Sequence, residues 1–338
     1  SNSPMRLTPA LGLLLCVTLF AARTNVVYIM CDDMGWADPG CYGSTQNVTP
    51  NIDRLAKEGL RFSSFYATQA VCTSSRTALM TGCYPNRLGL GGTALGPQSK
   101  TGLSNDEQTL GTLLRDAGYH TGVVGKWHLG DAPKFLPPHH GFDDSMILPY
   151  SNDMWPLGYA VGDESRRKMY PELPRYVNGH PMGFIRDWAD MDALTSSQGL
   201  RAVRFIHDNA GKEKPFFLYL ATSMPHTPLG ASSDFKGKGA TPFADTMADI
   251  DRAVGADHPR QEQLCDHLDD ARAAHARRHE LGVVGPAIVA DHPEPGLQGF
   301  AVDPHALDRA RGRALAAGLA AARAARRATS AGTLPCGV

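Results

Sequence analysis

The segment from Cys72 to Gly82 places a cysteine, two hydroxyl residues and an arginine at the start of a predicted helix. Free backbone N–H groups and the positive end of the helix dipole stabilise an anion, or a nucleophile attacking one, at such a position. Arg76 lies about one turn further on and can direct its guanidinium group to the same place. The segment therefore indicates a nucleophile that faces an anionic group, against the alternative of a buried structural cysteine.

A pair of adjacent carboxylates follows the first predicted strand. The apolar run from Asn25 to Met30 is typical of a buried strand in a parallel sheet, and Asp32 and Asp33 come directly after it. Two carboxylates at the end of a buried strand are costly unless a cation neutralises them. Such oxygen ligands suit Ca²⁺ or Mg²⁺. The alternative is a solvated turn.

Basic side chains follow two other predicted strands. The strand from Thr121 to Val124 leads to Lys126 and His128, which are two positions apart and are expected to point the same way. A cation and a titratable imidazole together suit an anionic ester, because one can hold an oxygen and the other can manage a proton. His226 follows the predicted strand 215–220, at the edge where α/β sheets gather catalytic groups.

Strands alternating with helices predict an α/β fold in which these strand ends meet. The remaining predicted elements are a capped helix over 49–59, a short strand over 61–67 and helices over 108–119, 199–206 and 245–255. The loop-rich region 131–200 shows no assignable chemistry. The pair at 208–209 lies before a strand rather than at its end, so it is not expected to bind a metal.

Composition narrows the possible partners and the compartment. The chain has 338 residues and a net charge of −1, which gives no basic field for nucleic acid. Seven cysteines, without paired metal-ligand spacing, indicate neither a disulfide scaffold nor a zinc site. A basic start, a short apolar run and small residues over 1–23 predict a secretory signal peptide, too short to be a membrane anchor. The chain is therefore expected in a secreted, periplasmic or lysosomal-type compartment.

The segment at Cys72 resembles the signature of the type I sulfatases, in which a cysteine is oxidised to formylglycine. The run Gly125 to Gly130 resembles a second signature of that family. Ser74 stands where Pro or Ala is usual, and Met80 where Leu or Ile is commoner. The resemblance covers residues 24–255 and implies an alkaline-phosphatase-like sulfatase fold, with a large and mostly parallel mixed sheet between helices.

The resemblance also implies a role for each candidate site residue. Ca²⁺ would be bound by Asp32, Asp33 and the modified Cys72. The sulfate would be bound by Lys126 and His226 with help from Arg76, and His226 would also help to protonate the leaving alcohol. His128 would hydrogen-bond the formylglycine hydrate and deprotonate one of its hydroxyl groups. The implied partners are a sulfated small molecule or polysaccharide fragment and a formylglycine-generating enzyme.

The composition changes after Gly255, where Ala, Arg, His and Asp become dominant. So few large apolar side chains are not expected to extend a packed sheet, although an Ala-Arg helix over 307–325 is possible. One hypothesis is a frame shift near codon 256, and the other is a divergent natural region. The Asp-Asn-Gly element and the later lysine that the family implies are absent, and Ile288 to His292 is the nearest substitute for the first. The tail 256–338 is therefore of doubtful fold.

The expected activity is hydrolysis of aryl or carbohydrate sulfate esters. Two alternatives remain open at this point. One is a phosphomonoester or phosphonate hydrolase of the same superfamily, which would share the carboxylates at the strand end. The other is a catalytically inactive, truncated product, which the altered tail favours.

Overall fold

The computed structural model describes residues 24–156, 170–256 and 281–288. The predicted signal peptide over 1–23 and the predicted Ala-Arg helix over 307–325 lie outside these residues, as do positions 289–292. Within the described part of the chain, no helix is both long enough and apolar enough to cross a membrane.

Seven strands form one mixed sheet with the order β5-β4-β3-β2-β6-β1-β7. The strands are β1 (Asn25–Asp32), β2 (His120–Lys126), β3 (Asp144–Leu148), β4 (Leu173–Val177), β5 (His180–Ile185), β6 (Phe216–Pro225) and β7 (Leu281–Ile288). The central pairings between β3, β2, β6, β1 and β7 are parallel, whereas β4 and β5 add antiparallel strands at one edge. The predicted α/β fold with a mostly parallel mixed sheet is confirmed.

Helices cover both faces of the sheet. They are α1 (Pro50–Glu58), α2 (Cys72–Thr81), α3 (Leu110–Asp116), α4 (Trp188–Asp192), α5 (Leu194–Asn209) and α6 (Pro242–Ala256). Side chains of β6 alternate between two hydrophobic clusters: Leu218 packs with residues of α5 and α6, and Phe217 packs with Met80 of α2. This alternation places α2, which carries the candidate nucleophile, on the face opposite α5 and α6.

A side chain from α6 caps the first helix across 200 residues of sequence. The Asp251 carboxylate accepts hydrogen bonds from the backbone N–H groups of Asn51 (3.0 Å) and Ile52 (2.8 Å) at the start of α1. These N–H groups belong to the first turn, where a helix has no internal acceptors for them. The contact therefore fixes α1 to α6 without a cap from the adjacent sequence.

Two predictions about the sheet are wrong. The segment 61–67 lies outside regular structure, with Phe62 and Phe65 about half exposed, because no strand among the described residues pairs with it. Conversely, β7 comes from the tail that was expected to be unable to extend the sheet. Its pairing with β1 runs from Asn25 opposite Leu281 to Cys31 opposite Ile288, and such pairing depends on backbone hydrogen bonds more than on large side chains.

Candidate active site

Three neighbouring strands end at the same edge of the sheet and deliver the charged side chains. β1 ends at Asp32, β2 ends at Lys126, and His226 follows the last residue of β6. Since these strands lie side by side in the order β2-β6-β1, their carboxyl ends converge. Asp33 has a left-handed backbone (φ 62°), which turns the chain sharply away from β1.

Asp32 is the centre of a buried ion-pair cluster. One carboxylate oxygen lies 3.0 Å from Nη2 of Arg76, and the other accepts a short hydrogen bond from Nζ of Lys126. Burial alone would raise the pKa of Asp32, but Lys126 and Arg76 outweigh it and hold that pKa below its usual value. Asp32 is therefore ionised and balances two buried cations.

The two cations are further fixed by groups that the sequence did not point to. Arg76 donates from Nη1 to the Lys126 carbonyl oxygen at 2.6 Å and to the Tyr219 hydroxyl at 3.2 Å. Lys126 donates from Nζ to the Ser151 hydroxyl at 2.9 Å. Ser151 lies in the region for which no chemistry was assigned. The available signal in the sequence was the polar run from Ser151 to Asp153, which directly follows the mostly apolar stretch 146–150.

Cys72 is the first residue of α2 and is half-buried. It follows Val71, which is extended, and its thiol lies at the N-terminal end of the helix. One ligand atom from each of Asp32, Cys72 and His226 lies within 4.8 Å of the others. The helix start and the strand ends therefore contribute to one cluster.

His226 joins this cluster to Asp33. Its Nε2 lies 3.4 Å from Oδ2 of Asp33, and its Nδ1 lies 2.5 Å from the Thr227 carbonyl oxygen. Burial would lower the pKa of His226, but a hydrogen bond with Cys72 and the charges of Asp32 and Asp33 raise it to about 9. The imidazole is therefore a cation at neutral pH.

His128 is fully buried and has the opposite protonation state. Burial, together with the charges of Lys126 and Arg76, lowers the pKa of His128 well below its usual value, so the ring is neutral. Its Nε2 lies 2.8 Å from the Leu95 carbonyl oxygen, which can only accept, and therefore Nε2 carries the hydrogen. Nδ1 is then a lone-pair acceptor, and it is buried without a hydrogen-bond partner in the described structure.

The hydroxyl of Thr73 holds the His128 backbone beside the helix start. It donates to the His128 carbonyl oxygen at 2.9 Å and accepts from the Leu95 N–H at 3.1 Å. Lys126 and His128 were expected to point the same way, but β2 ends at Lys126 and His128 has φ 56°, so strand alternation does not extend to it. The two side chains take different hydrogen-bond partners.

The departure at Ser74 has a structural reason. The residue is fully buried, its hydroxyl donates to the Leu90 carbonyl oxygen at 2.7 Å, and it accepts from the Thr93 N–H at 3.3 Å. Proline or alanine at this position could make neither contact. The hydroxyl therefore ties the first turn of α2 to the segment after that helix.

The described residues fit part of a calcium site. Asp32 and Asp33 supply the carboxylate oxygens that Ca²⁺ prefers, and an oxygen at position 72 would suit it better than the thiol. Ca²⁺ takes six to eight oxygen ligands, whereas both oxygens of Asp32 already accept from Arg76 and Lys126. Asp33 reaches the cluster through His226.

Comparison with known proteins gives the family. A family model described as Sulfatase matches residues 24–262. Human arylsulfatase A is 38% identical over 261 residues, which cover 73% of this chain and 50% of the relative. N-acetylgalactosamine-6-sulfatase of Rattus norvegicus is 36% identical over 245 residues, which cover 68% of this chain and 45% of the relative. The chain thus spans about half the length of these curated relatives.

Solved structures show the same fold. The PsFucS1 sulfatase from Pseudoalteromonas sp. superposes with a TM-score of 0.62 at 33% identity, covering 69% of this chain and 50% of that one. Ps i-CgsB in complex with k-i-k-neocarrahexaose superposes with a TM-score of 0.57 at 33% identity, covering 69% of this chain and 54% of that one. These matches agree with the converging strand ends, and the chain belongs to the sulfatase family.

Proposed function

We propose that this chain carries the site of a sulfate-ester hydrolase whose nucleophile derives from Cys72. The observation that carries the proposal is the convergence of three cationic side chains, Arg76, Lys126 and His226, around the start of α2. They face two carboxylates, Asp32 and Asp33, so the cluster retains an excess of positive charge. Such an excess, in a buried setting, suits an anionic ester.

Binding and charge stabilisation are the work of the preorganised cations. Arg76 and Lys126 are fully buried and are held by Tyr219 and Ser151 as well as by Asp32, so their positions are fixed before a sulfate group enters. The N–H groups at the start of α2 add partial positive charge. Ca²⁺, held by Asp32, Asp33 and position 72, would supply further positive charge to the sulfate oxygens.

The nucleophile requires conversion of the Cys72 thiol to formylglycine, whose hydrated aldehyde supplies hydroxyl groups for attack on sulfur. After one hydroxyl has attacked sulfur and the alcohol has left, loss of a proton from the other hydroxyl would expel sulfate and regenerate the aldehyde. His128 is suited to take that proton because its Nδ1 is an unpartnered lone pair in the described structure and its ring is neutral. The Thr73 and Leu95 contacts keep that nitrogen in one orientation. His128 therefore serves as the general base.

The leaving alcohol needs a proton, and His226 holds one. The raised pKa of about 9 keeps the imidazole protonated at neutral pH. Asp33 and the Thr227 carbonyl oxygen orient the ring. Two histidines with opposite protonation states, one neutral and one charged, divide the tasks of base and acid.

The substrate is proposed to be a carbohydrate sulfate. The relatives include proteins named N-acetylgalactosamine-6-sulfatase, and a structural neighbour is described in complex with k-i-k-neocarrahexaose. A formylglycine-generating enzyme is the expected maturation partner. The proposal places the protein in an exported compartment, on the basis of residues 1–23.

The test compares 4-nitrophenyl sulfate with 4-nitrophenyl phosphate, using protein co-expressed with a formylglycine-generating enzyme. The sulfate ester should be hydrolysed at the higher kcat/KM, and Cys72→Ala should abolish that activity. Cys83→Ser is the matched control, since Cys83 is also half-buried but lies after α2. Faster hydrolysis of the phosphate ester, or activity that survives Cys72→Ala, would refute the proposal.

A further inference from the structure

Before Cys72 is oxidised, the cluster formed by Asp32, Cys72 and His226 offers a different set of metal ligands. Its three potential ligand atoms are a carboxylate oxygen, a sulfur and an imidazole nitrogen, all within 4.8 Å of one another. This mixed set is the ordinary donor set of Zn²⁺, whereas Ca²⁺ takes oxygen ligands only. We propose that the thiol form of the chain binds Zn²⁺, or the similar ion Cd²⁺, through these three side chains.

The distances require only a small contraction. Tetrahedral zinc with ligands at about 2.0–2.3 Å places neighbouring ligand atoms roughly 3.3–3.8 Å apart. The upper limit of 4.8 Å in the present cluster is about 1 Å wider. Cys72 and His226 are both half-buried rather than fully enclosed, so their side chains can make this adjustment without disturbing the core.

The surroundings of His226 match those of a metal-bound histidine. A ligating histidine commonly donates its other ring N–H to a carbonyl or carboxylate group, which fixes the ring. Nδ1 of His226 already lies 2.5 Å from the Thr227 carbonyl oxygen, which leaves Nε2 for the ion. Asp33 lies 3.4 Å from Nε2 and can approach the fourth coordination position.

The neighbouring cations do not prevent binding, because zinc replaces protons. Coordination requires the Cys72 thiolate and a free ring nitrogen on His226, so protons are released as the doubly charged ion enters, which offsets its charge. Asp32 can bind the ion and still accept from both cations, because an ionised carboxylate has about four lone-pair sites and only two are used by Arg76 and Lys126. Both cations also keep Tyr219 and Ser151 as partners.

Conversion of Cys72 to formylglycine would then change which metal ion the site prefers. This consequence rests on the proposed function. The thiol is a soft ligand that favours Zn²⁺ and Cd²⁺, whereas oxygens derived from the aldehyde are hard ligands that favour Ca²⁺. Zinc binding by the thiol form itself does not depend on sulfate-ester hydrolysis. Its test can therefore fail or succeed separately.

The test follows alkylation of individual cysteines in the native full-length thiol form. Iodoacetamide is added with and without Zn²⁺, and peptide mass spectrometry measures the rate at Cys72 and at Cys83. A readout resolved by peptide is needed because the chain contains seven cysteines. Only the metal-free thiolate reacts with iodoacetamide, so free Zn²⁺ at about ten times its Kd should slow alkylation of Cys72 roughly tenfold. The rate at Cys83 should not change.

Two variants and one second ion complete the design. His226→Ala should abolish the protection of Cys72, whereas His207→Ala should retain it, because His207 is exposed on α5. Ca²⁺ should not protect the thiol, and Cd²⁺ should produce a sulfur-to-metal charge-transfer absorption that disappears in Cys72→Ser. The inference is overturned if Zn²⁺ leaves the Cys72 rate unchanged, slows both cysteines equally, or still protects Cys72 in His226→Ala.

Discussion

Among the described residues, Asp32 is the only carboxylate in direct contact with Arg76 and Lys126, and replacement by asparagine removes its charge while keeping the side-chain volume. Both cations are fully buried, and the remaining partners in the described structure are neutral oxygens from Tyr219, Ser151 and the Lys126 carbonyl. Breaking a buried ion pair from one side costs about 3–5 kcal/mol, because it leaves a buried charge without compensation. Asp32→Asn should therefore lower the free energy of unfolding by about 3–5 kcal/mol.

Lys126→Met should cost less than Asp32→Asn, because Asp32 would still be balanced by Arg76. Asp192→Asn is the matched control. Asp192 pairs with Lys236, whose side chain is 57% exposed, and exposed pairs contribute about 0–1 kcal/mol. The ordering of the three variants therefore tests the burial argument, independently of any activity.

Urea denaturation at neutral pH, followed by the fluorescence of the buried Trp127 and Trp155, measures these free energies. A chelator in all samples removes any contribution from bound metal. The lowered pKa of Asp32 means that its stabilisation is present above its unfolded pKa and is lost as pH falls through the folded value, so the difference from wild type should shrink in acid. Equal costs for Asp32→Asn and Asp192→Asn would refute the reasoning.

Three further predictions concern other parts of the site. The pKa of His226 is raised from 6.5 to about 9, so the protonated ring stabilises the folded protein fully below pH 6.5, and this stabilisation is lost as pH rises through 9. His226→Gln should remove this pH dependence from the urea midpoints measured across that range. Ser74→Ala should lower the free energy of unfolding by about 1–3 kcal/mol, because it leaves the Leu90 carbonyl without its donor, and unchanged urea midpoints would contradict this. Gly125→Ala should prevent folding, as judged by circular dichroism, because the φ of Gly125 is +109° and a Cβ would lie 1.8 Å from the Ala221 oxygen. The control Gly82→Ala should lower the free energy of unfolding by only about 1 kcal/mol, because a Cβ there, at φ +67°, meets open space.

The positions of the charged residues could be predicted because strand ends are readable in sequence. An apolar run that ends abruptly in charge, as at Asp32 and Lys126, marks the carboxyl end of a buried strand. Parallel strands then bring such ends to one edge of the sheet. The α2 helix was predictable for a similar local reason, since a glycine with φ +67° at position 82 ends it.

The supporting contacts could not be predicted because they join segments that are distant in the sequence. Tyr219 contacts Arg76 across 143 positions, and the Leu95 carbonyl receives its hydrogen bond from His128 through a loop. No local pattern encodes such pairings.

The sequence also did not indicate which segments would pair as strands. The segment 61–67 contains aromatic residues that are enriched in strands, yet no strand among the described residues pairs with it. The Gly-containing stretch Leu281–Ile288, by contrast, pairs with β1. Strand formation thus depends on the partner as much as on the side chains.

The central claim is that an aldehyde derived from Cys72 is the group that hydrolyses sulfate esters. The most direct measurement prepares the protein with different degrees of conversion, by varying co-expression of a formylglycine-generating enzyme. Mass spectrometry of the Cys72 peptide then gives the converted fraction for each preparation, beside the rate of 4-nitrophenyl sulfate hydrolysis. The account predicts a rate proportional to the converted fraction and passing through zero. A rate independent of that fraction, or a fully converted chain without activity, would contradict it.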